Sequence, residues 1–113
     1  MIMKIDTINV DITWENNNSV KELFNLAKNG LIINMSRYGE FEQVGSIGKN
    51  IASNNKQMTT SPGDVVLYNS NQIVIFFDSN TWSYTKLGHI NLNQTELNNL
   101  LNKSNVVLYL NNK

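Results

Sequence analysis

Residues 61–80 read SPGDVVLYNSNQIVIFFDSN, and this stretch decides the fold class. It opens with Pro62 and Gly63, a pair that favours a turn because proline presets φ and glycine can supply a positive φ. Two runs of β-branched and aromatic residues follow, VVLY and IVIFFD, separated by the short polar segment NSNQ. This composition and spacing predict two antiparallel strands joined as a hairpin.

Outward from this hairpin, the chain carries further strand patterns. Residues 31–37 are apolar at both parities, which predicts a strand buried on both faces until its last residues. Residues 2–14 alternate between apolar and polar but change parity, which predicts a hairpin or a bent strand. Residues 79–92 are β-rich but irregular, and residues 105–110 predict a closing strand that pairs back into the sheet.

Two short helices are predicted from their capping residues. Ser19 and Glu22 have the spacing of a capping box, and Gly30 marks the end of the first helix. Asn93 and Glu96 have the same spacing at the start of the second helix. Together the patterns predict a mainly β fold, a small closed antiparallel barrel of about eight strands with two short capping helices.

Length and composition limit the function classes. The 113 residues predict a single domain, 1–113, with no internal repeat and no linker. Nine basic side chains balance nine acidic ones, so we expect neither nucleic acid nor an anionic membrane as a partner. With no cysteine and one histidine, sites that need a thiolate or two imidazoles are excluded, and we expect no metal and no cofactor. Without a signal pattern or an apolar stretch of about 20 residues, a cytoplasmic location is expected.

The order of motifs resembles a known family. The segments LIINMSRYGEFEQVGSIG, SPGDVVLYNSNQIVIFFDSN and GHI occur in this order before the second helix. They are similar to those of the small prokaryotic cyclophilin-like proteins, a group often described as of unknown function. The resemblance covers nearly the whole chain and implies a cyclophilin-type fold, an antiparallel barrel closed by two helices with shortened loops. This agrees with the fold class predicted from the strand patterns.

The resemblance also implies site residues. True cyclophilins are prolyl isomerases, which lower a rotation barrier of about 18–20 kcal/mol by placing a donor near the prolyl nitrogen and an apolar pocket around the ring. By this resemblance Arg37 is the candidate catalytic donor, Phe41 the first pocket phenylalanine and Gln43 the glutamine that follows it. The spacings between these residues are shorter here than in the enzymes.

Later strands supply the remaining residues that the resemblance implies. Asn69 is similar to the asparagine that binds the substrate backbone, and Phe77 to the second phenylalanine of the enzymes' double-phenylalanine strand. Trp82 resembles the pocket tryptophan, although it follows Phe77 closely. Tyr68 stands where the enzymes use a small residue, so its ring would lie in the groove. His89, with no second histidine or positioned serine motif around it, is interpreted as structural.

The residues by themselves also allow simpler interpretations. Arg37 ends a strand and has Glu40 and Glu42 nearby, so it fits an exposed ion pair, a contact that contributes only about 0–1 kcal/mol. Most of the aromatic side chains fit barrel filling, and alternation allows only one of Phe76 and Phe77 to face inward. Both kinds of interpretation stay open at the level of sequence.

The function predicted from sequence is that of a cyclophilin-like domain that binds a small ligand or peptide segment in a groove near Arg37. The retained arginine, the altered spacing and Tyr68 favour this hypothesis. The alternative is a weak peptidyl-prolyl cis-trans isomerase, since Arg37, Phe41, Gln43 and Phe77 occur in the enzymes' order. A third hypothesis is a structural domain that dimerises through an edge strand. The identity of the peptide or small molecule and the oligomeric state are not predicted.

Overall fold

The computed structural model describes residues 1–112, which form ten β-strands and two α-helices. The strands are β1 (Ile2–Ile5), β2 (Ile8–Val10), β3 (Ile12–Trp14), β4 (Leu31–Tyr38), β5 (Glu42–Ser46), β6 (Lys56–Thr59), β7 (Asp64–Tyr68), β8 (Gln72–Phe76), β9 (Thr81–Ile90) and β10 (Asn105–Asn111). The helices are α1 (Asn18–Leu26) and α2 (Gln94–Leu101). Lys113, the last residue of the predicted domain, lies outside the described residues.

The strands pair antiparallel and form a nearly closed barrel. Their order is β2-β1-β10-β4-β5-β8-β7-β9-β3. The two ends of this order, β2 and β3, are consecutive in the chain, and only Asp11 separates them. The chain itself therefore bridges the gap between the first and last strands. The predicted fold class, a mainly β antiparallel barrel with two helices, is confirmed.

The predicted number of about eight strands was wrong, because the described residues form ten. The bend at Asp11 divides one predicted strand into β2, which pairs with β1, and β3, which pairs with β9. The other addition is β6, which pairs with the first half of β9 outside the main order. Its sequence, KQMT, has a single apolar residue, so no alternation predicts it.

The hairpin predicted in residues 61–80 is present as β7 and β8. Val66 faces Val74 and Tyr68 faces Gln72 across the pair. Asn69 and Ser70 form the turn with φ values of 54° and 62°, a region that asparagine tolerates better than most residues. This hairpin carries one residue set into the barrel and the alternate set onto its outer surface.

The barrel interior is the main core, and both helices contribute to it. The strands supply apolar side chains such as Ile33, Ile75 and Leu108, each at most 1% exposed. The first helix adds side chains including Leu23, and the second adds Leu97 and its neighbours. A second, smaller cluster, which we call the outer cluster, lies on the other face of the sheet and consists of Val66, Val74, Phe76 and Tyr84, with Phe41, Val44 and Met58 packed against it.

The cap predicted for α2 is confirmed, whereas the cap predicted for α1 was wrong. Asn93 and Glu96 form a reciprocal capping box at α2. At α1 the cap is Asn17, whose side chain accepts a hydrogen bond from the Val20 amide at 2.9 Å. Ser19 instead lies inside the helix, where its hydroxyl donates to the Ala52 carbonyl. The run of asparagines before Ser19 offers several equivalent caps, so local sequence did not distinguish them.

The prediction that residues 31–37 form a strand buried on both faces was also wrong. Ile33 and Met35 are 1% exposed, but Ile32 is 65% exposed. The strand borders a barrel whose outer surface at this point is not covered, so only one parity is buried. No helix among residues 1–112 is long and apolar enough to cross a membrane. The cytoplasmic location stays a prediction.

Candidate functional site

A groove lies on the outer surface of the barrel, over the sheet formed by β5, β8, β7 and β9. We call it the outer groove, and it has a volume of about 360 Å³. Its lining residues are Tyr38, Glu42, Val44, Tyr68, Gln72, Val74, Asn80, Trp82 and Tyr84. The groove therefore combines two valines, four aromatic rings, two amides and one carboxyl.

The floor of the outer groove is apolar and rigidly paired. Val44 and Val74 are Cα partners across β5 and β8, and Val66 faces Val74 from β7. Val74 is 1% exposed and belongs to the outer cluster. Three neighbouring strands thus place β-branched side chains in one row, which gives the groove a fixed apolar base.

The aromatic walls differ in how firmly they are held. Tyr84 is 4% exposed, its ring centroid is 5.5 Å from that of Phe76, and its hydroxyl accepts a hydrogen bond from the Asn80 amide at 2.8 Å. Tyr68 packs edge-on against Tyr84 with centroids 6.0 Å apart. Trp82 is 56% exposed at the rim. The wall formed by Tyr84 is therefore fixed, whereas the rim leaves much aromatic surface in contact with solvent.

Tyr38 completes the rim from the opposite side. It ends β4, is 67% exposed, and packs edge-on against Phe41 with ring centroids 5.9 Å apart. Gly39, with φ of 61°, allows the chain to turn here, and a side chain at this position would clash with the Phe41 ring. The tight turn after β4 therefore holds Tyr38 and Phe41 against each other beside the groove.

Glu42 is the one acidic side chain in the lining. It is 7% exposed and faces Phe76 across β5 and β8. Burial alone raises the pKa of its carboxyl from 4.5 to about 7, because no hydrogen bond and no cation among residues 1–112 favours the charged form. The same carboxylate contributes to raising the pKa of Tyr84, after the larger effect of burial. Glu42 is thus a nearly buried acid without a partner.

Gln43, the next residue, points to the opposite face and is fully satisfied as a donor. It is 0% exposed, and its side-chain amide donates to the carbonyl of Leu101 at 2.8 Å and to that of Lys103 at 2.7 Å. These carbonyls lie at and just after the end of α2, and the Leu101 carbonyl also accepts a hydrogen bond from the Lys103 backbone amide at 2.9 Å. The Gln43 side chain therefore links the end of α2 to β5 by two hydrogen bonds.

Arg37 is the Cα partner of Gln43 and lies with it away from the outer groove. Its guanidinium is exposed and donates from Nη1 to the Asn102 side chain at 2.9 Å. The ion pair with Glu40 or Glu42 considered from sequence is not among the described contacts. Because adjacent residues in a strand face opposite sides, Tyr38 lines the groove and Arg37 does not.

The remaining sequence-predicted site residues are dispersed. Tyr68 and Trp82 line the outer groove together. Phe41 packs beside it, in the outer cluster. Phe77 is 2% exposed inside the barrel, while Phe76 faces the outer cluster, so only one of the two faces inward as alternation predicts. Asn69 is exposed in the β7–β8 turn. Arg37, Phe41, Phe77 and Trp82 therefore do not converge on one concavity.

Several lining residues were missed from sequence, and one signal pointed to them. The missed residues are Tyr38, Glu42, Val44, Gln72, Val74, Asn80 and Tyr84. In the segment EFEQVGSI, Glu42 and Val44 share a parity, and Gln43 has the other. The sequence thus indicated that an acid and a valine share one face of a strand. Only the pairing of the strands shows that this face forms a concavity.

The chain matches a protein-family model. A model described as the cyclophilin-like family matches residues 3–110, which is nearly the whole chain and contains the complete lining of the outer groove. No curated protein and no solved structure matches the chain.

Proposed function

Because this chain belongs to the cyclophilin-like family, we propose that it is a binding protein that holds a small ligand or short peptide segment in the outer groove. The observation that carries the proposal is the groove itself, with its paired valine floor, aromatic walls and single carboxyl. Binding sites for small molecules are concave and mostly apolar, with a few placed polar groups that set orientation. The outer groove has each of these properties.

The aromatic rim supports binding by a second argument. Trp82 and Tyr38 are more than half exposed, and large aromatic side chains left in contact with water contribute strongly when a ligand covers them. Their backbone positions are fixed by strand pairing, since Trp82 faces Met58 and Tyr38 faces Glu42. A ligand therefore meets a prearranged surface and does not have to order a loop.

The proposed site differs from the groove near Arg37 that the sequence favoured. Arg37 lies on the other face of β4 and is hydrogen-bonded to Asn102. Tyr68 and Trp82 are the two predicted ligand residues that line the outer groove, and Phe41 supports it from the side. We assign the ligand contacts to the outer face for this reason.

A fragment screen by amide chemical-shift mapping tests the proposal. We expect binders to shift the amides of residues 42–44, 72–76 and 82–84, and Trp82→Ala to weaken their binding about tenfold through loss of a stacked ring. Ile32→Ala is the matched control, because Ile32 is 65% exposed on the outer surface but does not line the groove. If fragments and peptides cause no shifts in these residues, or shift only residues around Arg37, the proposal is wrong.

Prolyl isomerase activity is the alternative function, and the geometry supports it less. Among residues 1–112, no arginine, lysine or histidine lines the outer groove to donate to a prolyl nitrogen. Exchange NMR on an Ala-Pro peptide at high protein concentration decides between the two functions. We expect no added exchange. Exchange that is present in the parent and absent in Arg37→Ala would replace the binding proposal with the isomerase.

A further inference from the structure

We propose that the ligand of the outer groove is an organic cation, an ammonium group with apolar substituents, held over Glu42 and between the rings of Tyr38, Tyr68, Trp82 and Tyr84. The inference rests on the proposed function, because it names the ligand class for the same groove. Four ring systems and one unpaired carboxyl line a space of about 360 Å³. Neither feature alone selects a cation, but the two together do.

The rings supply the first part of the argument. The face of an aromatic ring carries partial negative charge and attracts an ammonium group within about 6 Å of its centroid, each contact contributing about 0.5–2 kcal/mol. Tyr68 and Tyr84 are adjacent, with ring centroids 6.0 Å apart, and Trp82 and Tyr38 leave exposed ring surface at the rim. Several rings around one apolar cavity form the arrangement that recognises substituted ammonium groups.

The carboxyl of Glu42 supplies the second part. Glu42 is 7% exposed and has no partner within residues 1–112, and this burial disfavours the charged form of its carboxyl. A buried charge is normally stabilised by an opposite charge. The Glu42 side chain projects from the groove side of β5, next to Val44 on the same face. A bound cation would be the missing partner, and it would return the carboxyl to its ionised form.

No cationic side chain among residues 1–112 lines this place. The lysines, arginine and histidine among residues 1–112 are all outside the groove lining. The titratable groups that face Glu42 across the groove are the phenols of Tyr38 from β4, Tyr68 from β7 and Tyr84 from β9. Gln72 and Asn80 are neutral. The groove is thus neutral or negative in charge, which favours an organic cation and disfavours an organic anion.

The apolar floor restricts the cation further. Val44 and Val74 give the groove an apolar base, against which a hydrated inorganic ion or a bare ammonium would lose water without a replacement. An ammonium that carries methyl or larger apolar groups is weakly hydrated and can contact the valines. The ligand class is therefore a substituted ammonium, whether in a small molecule or on a modified side chain of a peptide.

Amide chemical-shift titrations with choline and with 3,3-dimethylbutan-1-ol test the inference. The two probes have nearly the same shape, but only choline is charged. At pH 8 we expect choline to shift the amides of residues 42–44 and 82–84 and to bind at least about tenfold more tightly than the alcohol. We expect Glu42→Gln to reduce choline affinity about tenfold and to leave the alcohol unchanged.

The pH dependence gives an independent readout. A cation stabilises ionised Glu42, so we expect choline affinity to rise as pH increases from 6 to 8, because the carboxyl loses its proton across about pH 7. The rise should be absent in Glu42→Gln. If the affinity for choline instead falls as pH increases from 6 to 8, the protonated carboxyl of Glu42 is the form that binds, and the inference is wrong.

The outcomes separate the inference from the proposed function. If the alcohol binds as tightly as choline, the groove binds neutral ligands, so the cation inference fails and the binding function stands. If the fragment screen and both probes leave the groove residues unshifted, both fail. Trp82→Ala and Ile32→Ala again serve as the groove variant and its control, and both positions are exposed enough for the variants to fold.

Discussion

Glu42 and Gln43 are consecutive residues of β5, both nearly buried, and they occupy opposite environments. Gln43 faces the end of α2 and donates two hydrogen bonds to backbone carbonyls. Glu42 faces the outer groove and has no partner among the described residues. Buried polar groups are nearly always paired, because an unpaired one keeps the full cost of losing water. The two hydrogen bonds give Gln43 a structural role, even though its side-chain oxygen has no partner among the described residues, and the unpaired carboxyl supports the proposal that Glu42 contacts a ligand.

The same contrast holds for the two faces of the whole sheet. The inner face is filled by the barrel core, which includes Phe77, whereas the outer groove on the other face is bordered by aromatic rings, of which Tyr38 and Trp82 remain more than half exposed. A side chain that completes packing tolerates little change, whereas one that lines an open groove can change with little effect on stability. Substitutions on the two faces should therefore separate stability from binding.

The largest effect is expected for Gln43→Leu. The change keeps the side-chain size but removes the donor for the carbonyls of Leu101 and Lys103, so we expect the free energy of unfolding to fall by about 3 kcal/mol. Urea denaturation measures the change. Glu42→Gln on the same strand is the matched control and should not destabilise the protein at pH 8. If both variants lose the same free energy of unfolding, the two residues do not differ in their contribution to stability, and the prediction is wrong.

An intermediate effect is expected from the ionisation of Glu42. The folded protein holds the proton more tightly than the unfolded chain, so this contribution to stability is full below pH 4.5 and is lost as pH rises through about 7. A pKa raised from 4.5 to about 7 corresponds to at most about 3 kcal/mol, and the contact with water that the carboxyl keeps reduces this, so we expect the free energy of unfolding of the parent, relative to Glu42→Gln, to fall by about 2 kcal/mol across this window. Urea denaturation at several pH values measures it, and a difference that does not change with pH would contradict the buried, unpaired acid.

The smallest effect is expected for Arg37→Ala. The guanidinium is exposed and donates one hydrogen bond to Asn102, so its removal should lower the free energy of unfolding by less than about 1 kcal/mol. Binding of groove fragments should be unchanged in the same chemical-shift titrations. Loss of binding with preserved stability would return the site to the neighbourhood of Arg37, as the sequence suggested.

Much of the fold was predictable because its signals are local. The β7–β8 hairpin followed from two β-branched runs and a polar turn, and the α2 cap followed from Asn93 and Glu96 three residues apart. The strand count was not predictable, because the bend at Asp11 and the pairing of β6 with β9 depend on which distant strand each segment meets. The candidate site was predicted only at Tyr68 and Trp82.

The sequence by itself determined the β7–β8 hairpin and the second helix cap, which depend on residue types within a few positions of one another. It also determined the family, through the order of motifs along nearly the whole chain. The tertiary structure alone decided which parity became core and which became groove. The side-chain nitrogen of Gln43 donates to a carbonyl 58 residues away, and Glu42 is left unpaired because no distant segment among the described residues brings a partner to it. Such long-range pairing is absent from any local pattern, and it is what separates the structural residue from the proposed ligand residue.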